Sequence, residues 1–306
     1  MALLDRAIVR VLPVVPRSVV RRISNSYIAG TTIEAAISVV RELNEQGKMA
    51  TIDVLGEEIS GRREAAEIVR AYHDVFEAIE RERLDSNVSV KLTALGLNLA
   101  YELCRANLLR VVRHAAESGN FVRIDMEDSS TTSETLQLYR ELREEGLDNV
   151  GVVLQAYLRR SIRDIHDLAP LRPNVRLCKG IYVEPPLIAY QDYEEVRQNF
   201  LRCLRELLQI GSYVGIATHD QFLIDEGERL VAERGLTRDE YEFQMLLGVR
   251  GFAGDRLVRD GHRLRIYVPF GEHWYQYSVR RLQENPKIAG YVASDTVNRL
   301  FGADSR

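Results

Sequence analysis

Two arginines stand side by side in "SVRRLQENP" (278–286), with Tyr277 three residues before Arg280 and Glu284 three after Arg281. Neighbours on a helix diverge by about 100°, yet guanidinium arms are long enough to converge on one small anion. Arginine meets a carboxylate with two parallel hydrogen bonds, so the pair points to a carboxylate-bearing ligand. Taken alone, the same stretch is a solvated basic patch with an Arg280–Glu284 pair at i,i+4 spacing. It does not stand alone. Polar residues recur after apolar runs along the chain: Asp53 with Glu57, Lys91, Asp125 with Glu127, Gln155 with Tyr157, Lys179 with Tyr182, Thr218 with His219 and Asp220, Gln244, and Tyr267. Lys91 follows the apolar start of "NVSVKLTALG", where burial requires an anionic partner or a lowered pKa. In "FVRIDMED", strand alternation puts Arg123, Asp125 and Glu127 on one face and Val122, Ile124 and Met126 on the other. An internal Arg123–Asp125 ion pair is the plainer alternative there. "NVRLCKGIYVEPP" adds the cations Arg176 and Lys179, and Gly180 lets a ligand approach the backbone.

These residues need a scaffold that gathers them. Runs rich in β-branched residues occur at "MATIDVLG", "NVSVKLTALG", "FVRIDMED", "VGVVLQAY", "NVRLCKGIYV", "SYVGIATHD", "YEFQMLLGV" and "LRIYVPFG". Between them lie segments of helical periodicity, such as "TTIEAAISVVRELNEQG" and "SETLQLYRELREEG", several closed by glycine. Repeated βα units with near-continuous apolar strands predict a parallel sheet covered by helices. Eight of them predict a (β/α)8 TIM-type barrel, with an open doubly wound sheet as the alternative. A barrel builds its active site at the C-terminal strand ends, where the polar residues above fall. "GEHWYQYSVRRLQENP" then forms a helix across or beside the barrel mouth. The chain divides into an N-terminal helical arm, residues 1–45, and a barrel over 46–306.

The 306 residues suit one barrel, and a net charge of −4 gives no general pull toward nucleic acid. Cys104, Cys178 and Cys203, odd in number and without CxxC spacing, fit a reducing cytoplasm better than a disulfide framework or structural zinc. No apolar run approaches membrane-spanning length. "MALLDRAIVRVLPVVPRSVVRR" interleaves Arg6, Arg10, Arg17, Arg21 and Arg22 with apolar residues, a pattern that packs on a domain or lies on an anionic surface. Residue chemistry leaves three reactions open. A Schiff-base lyase acting on a small carboxylate would use Lys91 or Lys179. A metal-assisted hydrolase would recruit Asp125, Glu127, His219 and Asp220, although closely spaced histidines are lacking, and no metal is expected. A redox enzyme would need a cofactor, and no GxGxxG fingerprint follows any strand.

The ordered motifs "SVKLTALGL", "VRIDMEDS", "GVVLQAYLRRS", "VRLCKGIYVEP", "GIATHD", "FQMLLGVR" and "RIYVPFG" followed by "YSVRRLQEN" resemble the flavin-dependent proline dehydrogenases, in their short monofunctional bacterial form. The resemblance implies a distorted (β/α)8 barrel carrying FAD. It implies oxidation of L-proline to Δ1-pyrroline-5-carboxylate, the first step of proline catabolism to glutamate, by hydride transfer from C5 to flavin N5. Arg280 and Arg281 would grip the substrate carboxylate, Lys91 would complete the anion site, and Leu246, Tyr267 and Tyr277 would wall the ring. Asp125 and Arg176 would sit at the reacting centre. Met126, Gln155, Lys179, Gly180, Ile181, Thr218 and His219 would line the FAD. The cations Lys91, Arg176, Lys179, Arg280 and Arg281 would together favour a neutral substrate amine. Electrons would pass to a quinone, with peripheral association at the inner face of the cell membrane and hand-off of the product to a pyrroline-5-carboxylate dehydrogenase. Ile181 and Val183 depart from the family pattern near the flavin.

Overall fold

Strand follows helix in strict alternation through the chain. The computed structural model describes residues 20, 21, 24, 26–56 and 59–284, with 280–284 described by backbone alone. Residues 1–19, 22, 23 and 25 of the expected arm, Glu57, and the side chains of Arg280 and Arg281 lie outside the described residues. Helix α1 (Ile33–Glu45) precedes β1 (Met49–Val54), and then come α2 (Arg62–Glu82), β2 (Ser86–Val90), α3 (Tyr101–Glu117), β3 (Val122–Ile124), α4 (Thr132–Glu144) and β4 (Val150–Gln155). The second half holds α5 (Ser161–Leu168), β5 (Val175–Cys178), α6 (Tyr193–Gln209), β6 (Val214–Ala217), α7 (Gln221–Glu233), β7 (Tyr241–Leu246), α8 (Gly251–Arg259), β8 (Leu264–Phe270) and α9 (Trp274–Glu284). The strands pair in parallel in chain order and β8 pairs back onto β1, so the sheet is a closed barrel. The open doubly wound sheet is thereby excluded.

The strands bury both faces, for different reasons. Val88, Val90, Val122, Ile124, Val150, Val152, Val175, Leu177, Val214 and Ile216 are fully buried and form the apolar layer against the helices. The alternating positions Asp53, Ser89, Arg123, Arg176, Glu242, Gln244 and Arg265 are buried too, yet they are polar. Hydrogen bonds from Arg176 on β5 to Ser89 on β2 and to Gln244 on β7 join strands that are not neighbours, so these side chains point into the barrel. Barrel interiors ordinarily fill with Val, Ile and Leu, so a charged filling must satisfy itself internally. Arg265 does so with the Glu242 carboxylate, at 2.8 Å from Nε, and with the Ala50 carbonyl at 2.7 Å. Arg123 does so with the carbonyls of Val152 and Asn174, at 3.1 and 2.7 Å. The Arg123–Asp125 pair considered from the sequence does not form: Asp125 turns to Arg176 instead. Burial, with Arg176 nearby, pushes the Arg123 guanidinium down to about 9.

Helix entry is set by side chains that accept the first free amides. Thr32 caps α1, Asp192 caps α6 through the amides of Glu194 and Glu195, and Asp220 caps α7 through that of Phe222. Helix α7 carries Gly227 in its interior, where glycine costs about 1 kcal/mol relative to alanine. The compensation is close approach, because a Cβ at 227 would lie 3.2 Å from Phe243 Cε1 on β7 and 3.5 Å from Ile216 on β6. Gly227→Val is expected to overpack this contact and lower stability by about 1–3 kcal/mol in urea unfolding; an unchanged midpoint would show that α7 has room to move away.

Candidate active site

The C-terminal ends of the strands converge on one guanidinium. Arg176, inside β5, donates from Nη1 to Asp125 Oδ1 at 2.7 Å, from Nη2 to Ser89 Oγ at 3.0 Å, and from Nε to Gln244 Oε1. The other Asp125 oxygen accepts from the Tyr267 hydroxyl of β8 at 2.7 Å. Lys91 Nζ stands 2.6 Å from Asp53 Oδ2, 3.1 Å from Tyr267 Oη and 3.6 Å from Asp125 Oδ2. Burial, reinforced by the charges of Asp125 and Asp53, raises the Tyr267 pKa well above its ordinary value, so the phenol stays protonated and donates.

Four residues picked from the sequence, Lys91, Asp125, Arg176 and Tyr267, thus meet in one network. Their charge differs from the expectation of a cationic cluster. Lys91 and Arg176 lie against Asp53 and Asp125, because a buried cation without a counter-ion would cost several kcal/mol. Lys179 does not join them: its ammonium lies 3.2 Å from Asp220 Oδ2, in a second group at the ends of β5 and β6. There Arg197 grips Asp220 from Nε at 2.8 Å and Nη2 at 2.7 Å, and the Tyr193 hydroxyl donates to it at 2.6 Å. Burial alone would raise the Asp220 pKa, but the bonds from Arg197 and Tyr193 and the Lys179 charge hold it well below the usual carboxylate range.

The remaining sequence-picked residues ring these two groups. Leu246 N–H donates to His219 Nε2 at 2.9 Å, which leaves the proton of a neutral ring on Nδ1, and Arg250 holds the His219 carbonyl at 2.8 Å. Thr218 Oγ1 accepts from the Asp220 amide at 3.1 Å. Gln155 is buried at the end of β4, with its Nε2 donating to the Met126 carbonyl at 3.4 Å. Gly180 takes φ 104°, and a Cβ there would lie 2.1 Å from Tyr157 Cδ1, so the chain crosses that ring only as glycine. Beyond it Ile181 enters a loop fixed at both flanks, by Tyr157 N to the Lys179 carbonyl at 2.7 Å and by Ser129 N and Oγ to the Glu184 carboxylate, each at 2.7 Å. Val183 and Leu187 stand almost fully exposed on this loop. Tyr277, on α9, packs with Tyr27, Ile28 and Leu55. Glu127 turns to the Thr93 amide and hydroxyl, at 3.1 and 2.5 Å.

Asp53, Ser89 and Gln244 carried no assigned role on sequence grounds. Strand alternation contains the signal for Ser89, two residues before Lys91 and therefore on its face. Gln244 and Asp53 were visible as strand-end polar residues, but the partners that tie them to the site, Arg176 and Lys91, lie on other strands far away in sequence.

A family model described as proline dehydrogenase matches residues 36–294. Proline dehydrogenase 1 of Bacillus subtilis subsp. natto is 39% identical over 266 residues, covering 87% of this chain and 88% of that protein. Proline dehydrogenase of Deinococcus radiodurans is 38% identical over 274 residues, 88% of each. Among solved structures, proline utilization A from Bdellovibrio bacteriovorus superposes with a TM-score of 0.82 at 23% identity, over 97% of this chain and 38% of that one, a likeness of fold. With matching sequence along most of its length and the same barrel, the chain belongs to the proline dehydrogenase family.

Proposed function

We propose that the chain oxidises L-proline to Δ1-pyrroline-5-carboxylate at the barrel mouth, with FAD as cofactor. The observation that carries this reading is the buried junction of Lys91, Asp125, Arg176 and Tyr267, lying where barrels build active sites and inside the matched residues. The neighbouring strand ends fit a flavin. Gln155 Oε1 is a buried acceptor with no hydrogen-bond partner among the described residues, and an imide N–H such as that of a flavin ring would satisfy it. Met126, Lys179, Gly180, Ile181, Thr218 and His219 would hold the cofactor around it. When bound, FAD would supply the hydride acceptor for the oxidation of proline at C5, with a quinone as the proposed final electron acceptor.

The rest falls to the chain's own side chains. Arg280 and Arg281 would take the substrate carboxylate, with Lys91 completing the anion site, and Leu246, Tyr267 and Tyr277 would wall the apolar ring. Asp125 has one oxygen bound by Arg176 and the other by Tyr267, which suits it to orient those groups rather than to act as the base. The amine proton would then leave to water as the C5–N bond becomes double. The same geometry disfavours a Schiff-base lyase. Such chemistry needs a neutral lysine, whereas the ammonium groups of Lys91 and Lys179 lie 2.6 and 3.2 Å from carboxylates that favour the charged form.

In an anaerobic visible spectrum, added L-proline is expected to bleach flavin bands of the purified protein; a colourless protein that takes up no FAD would overturn the reading. Arg280→Lys and Arg281→Lys should each weaken proline binding by about 1.5–3 kcal/mol, the worth of a charge-assisted hydrogen bond, with FAD retained. Flavin loss in parallel would instead place these arginines at the cofactor. Among the described residues no helix is long and apolar enough to cross a membrane. Residues 1–45 are proposed as an added helical arm with 46–306 as the catalytic barrel, and the arginine-rich segment 1–22 is proposed to bind anionic surfaces through its arginines. Sedimentation with anionic vesicles at low salt, lost near 0.5 M salt where screening shortens to a few ångströms, is the expected result. A protein that stays in the supernatant at low salt contradicts the surface role.

A further inference from the structure

Gln244 and Glu242 stand two residues apart on β7, both buried, and neither belongs to the substrate or cofactor sets above. They extend the Arg176 network down into the barrel. Arg176 Nε donates to Gln244 Oε1, and Gln244 Nε2 donates to Glu242 Oε1. Glu242 in turn accepts from Arg265, at 2.8 Å from Nε and 3.1 Å from Nη2, and from the Tyr213 hydroxyl at 2.8 Å. A primary amide has one accepting end and one donating end. Turned over, Gln244 would aim its oxygen at a carboxylate and its NH2 at a guanidinium, losing both hydrogen bonds in a buried place. Each such loss costs about 1–3 kcal/mol, so an ionised Glu242 admits one orientation of the amide. Burial would raise the Glu242 pKa, but Arg265, with hydrogen bonds from Tyr213 and Gln244, holds it down at about 2.

The bed for this amide is built into the adjacent strand. Gly215 of β6 pairs in register with Glu242, and a Cβ on it would lie 2.4 Å from Gln244 Nε2 and 2.8 Å from Gln244 Cδ. Any larger residue at 215 would displace the amide. With Nε bound to Gln244, Nη1 to Asp125 and Nη2 to Ser89, each nitrogen of the planar Arg176 guanidinium has a partner, and its plane is fixed.

We infer that Gln244 and Glu242 are positioning residues for the oxidation: the Glu242 carboxylate sets the direction of the Gln244 amide, and the amide sets the plane in which Arg176 holds Asp125. The inference rests on the reading of Arg176 as part of the reacting centre. Swapping the two side chains tests it. Gln244→Glu sets two carboxylates against each other, and Glu242→Gln removes the charge that orders the amide. In the double variant the amide now at position 242 can donate to the carboxylate now at position 244, whose other oxygen accepts from Arg176. That restores the order of donors and acceptors between position 242 and Arg176 with the same total charge; the amide oxygen at 242 still accepts from Arg265 Nη2 and the Tyr213 hydroxyl, and Arg265 Nε gives up its acceptor there.

Steady-state kinetics with L-proline, equilibrium binding of a ring carboxylate lacking the amine, and thermal unfolding would be measured on the flavin-loaded proteins. Each single variant is expected to lose about 10–100-fold in kcat, the scale of a misplaced catalytic group, with analogue binding changed less than kcat. The double variant is expected to recover most of that loss. A double variant no better than Gln244→Glu, or single variants that turn over normally, would overturn the inference. Should a single variant fail to fold, Gly215→Ala carries the test, since it changes neither Gln244 nor Glu242 chemically and displaces the Gln244 amide. The same drop in kcat supports the inference and unchanged turnover overturns it. Arg176→Lys separates the two levels: normal turnover overturns the reading of Arg176 itself, whereas impaired turnover beside an unaffected Gln244→Glu overturns the role of Gln244 alone.

Discussion

A charge inside a closed barrel has no water to turn to, and that constraint organises this molecule. Arg176 occupies a position where most barrels place an aliphatic side chain, and its guanidinium is accommodated because β2, β7 and the residue that follows β3 each supply an acceptor. Those acceptors in turn need partners, so Asp125 takes Tyr267 and Lys91, Lys91 takes Asp53, and Gln244 takes Glu242 with Arg265 beneath. The result is a polar interior that runs from the lower strands to the mouth. Breaking one buried pair would leave a partner charge uncompensated, at about 3–5 kcal/mol, so residues deep in the barrel constrain those at its rim.

Compensation also shapes the chemistry. On sequence grounds Lys91, Arg176, Lys179, Arg280 and Arg281 count as one cationic cluster, with Asp125 at the reacting centre. In the fold, Lys91 and Arg176 share Asp53 and Asp125, while Lys179 joins Arg197 and Tyr193 around Asp220. Two groups therefore stand side by side at the mouth. In the proposed function the first meets the substrate and the second borders the cofactor, as do Gln155 Oε1, buried and without a hydrogen-bond partner among the described residues, and the glycine crossing at Gly180. The Asp220 carboxylate also caps α7, so the helix that packs on β6 and β7 begins from a side chain of the second group.

Sequence alone determined the eight alternating strands and helices and the polar rim, and left a closed barrel or an open sheet as the two ways to assemble them. Strand positions, their parallel order and the polar residue at each C-terminal end follow from local facts: β-branched runs, helical periodicity between them, and glycines at helix ends. Lys91, Asp125, Arg176 and Tyr267 were identifiable because each lies within its own strand or directly after it. Which of them touch was decided only by the tertiary structure. Arg123 and Asp125 are two residues apart on one strand face and looked like a pair, yet the closed barrel brings Arg176, 51 residues away, to 2.7 Å from Asp125 and hands Arg123 to backbone carbonyls. Gly215 and Gln244 show the same limit, since a glycine in β6 reads as a weak point until the amide lying over it is seen. Periodicity reports which way a side chain points, but hydrogen-bond partners in a barrel are set by closure, and closure joins strands whose separation in sequence carries no local signal.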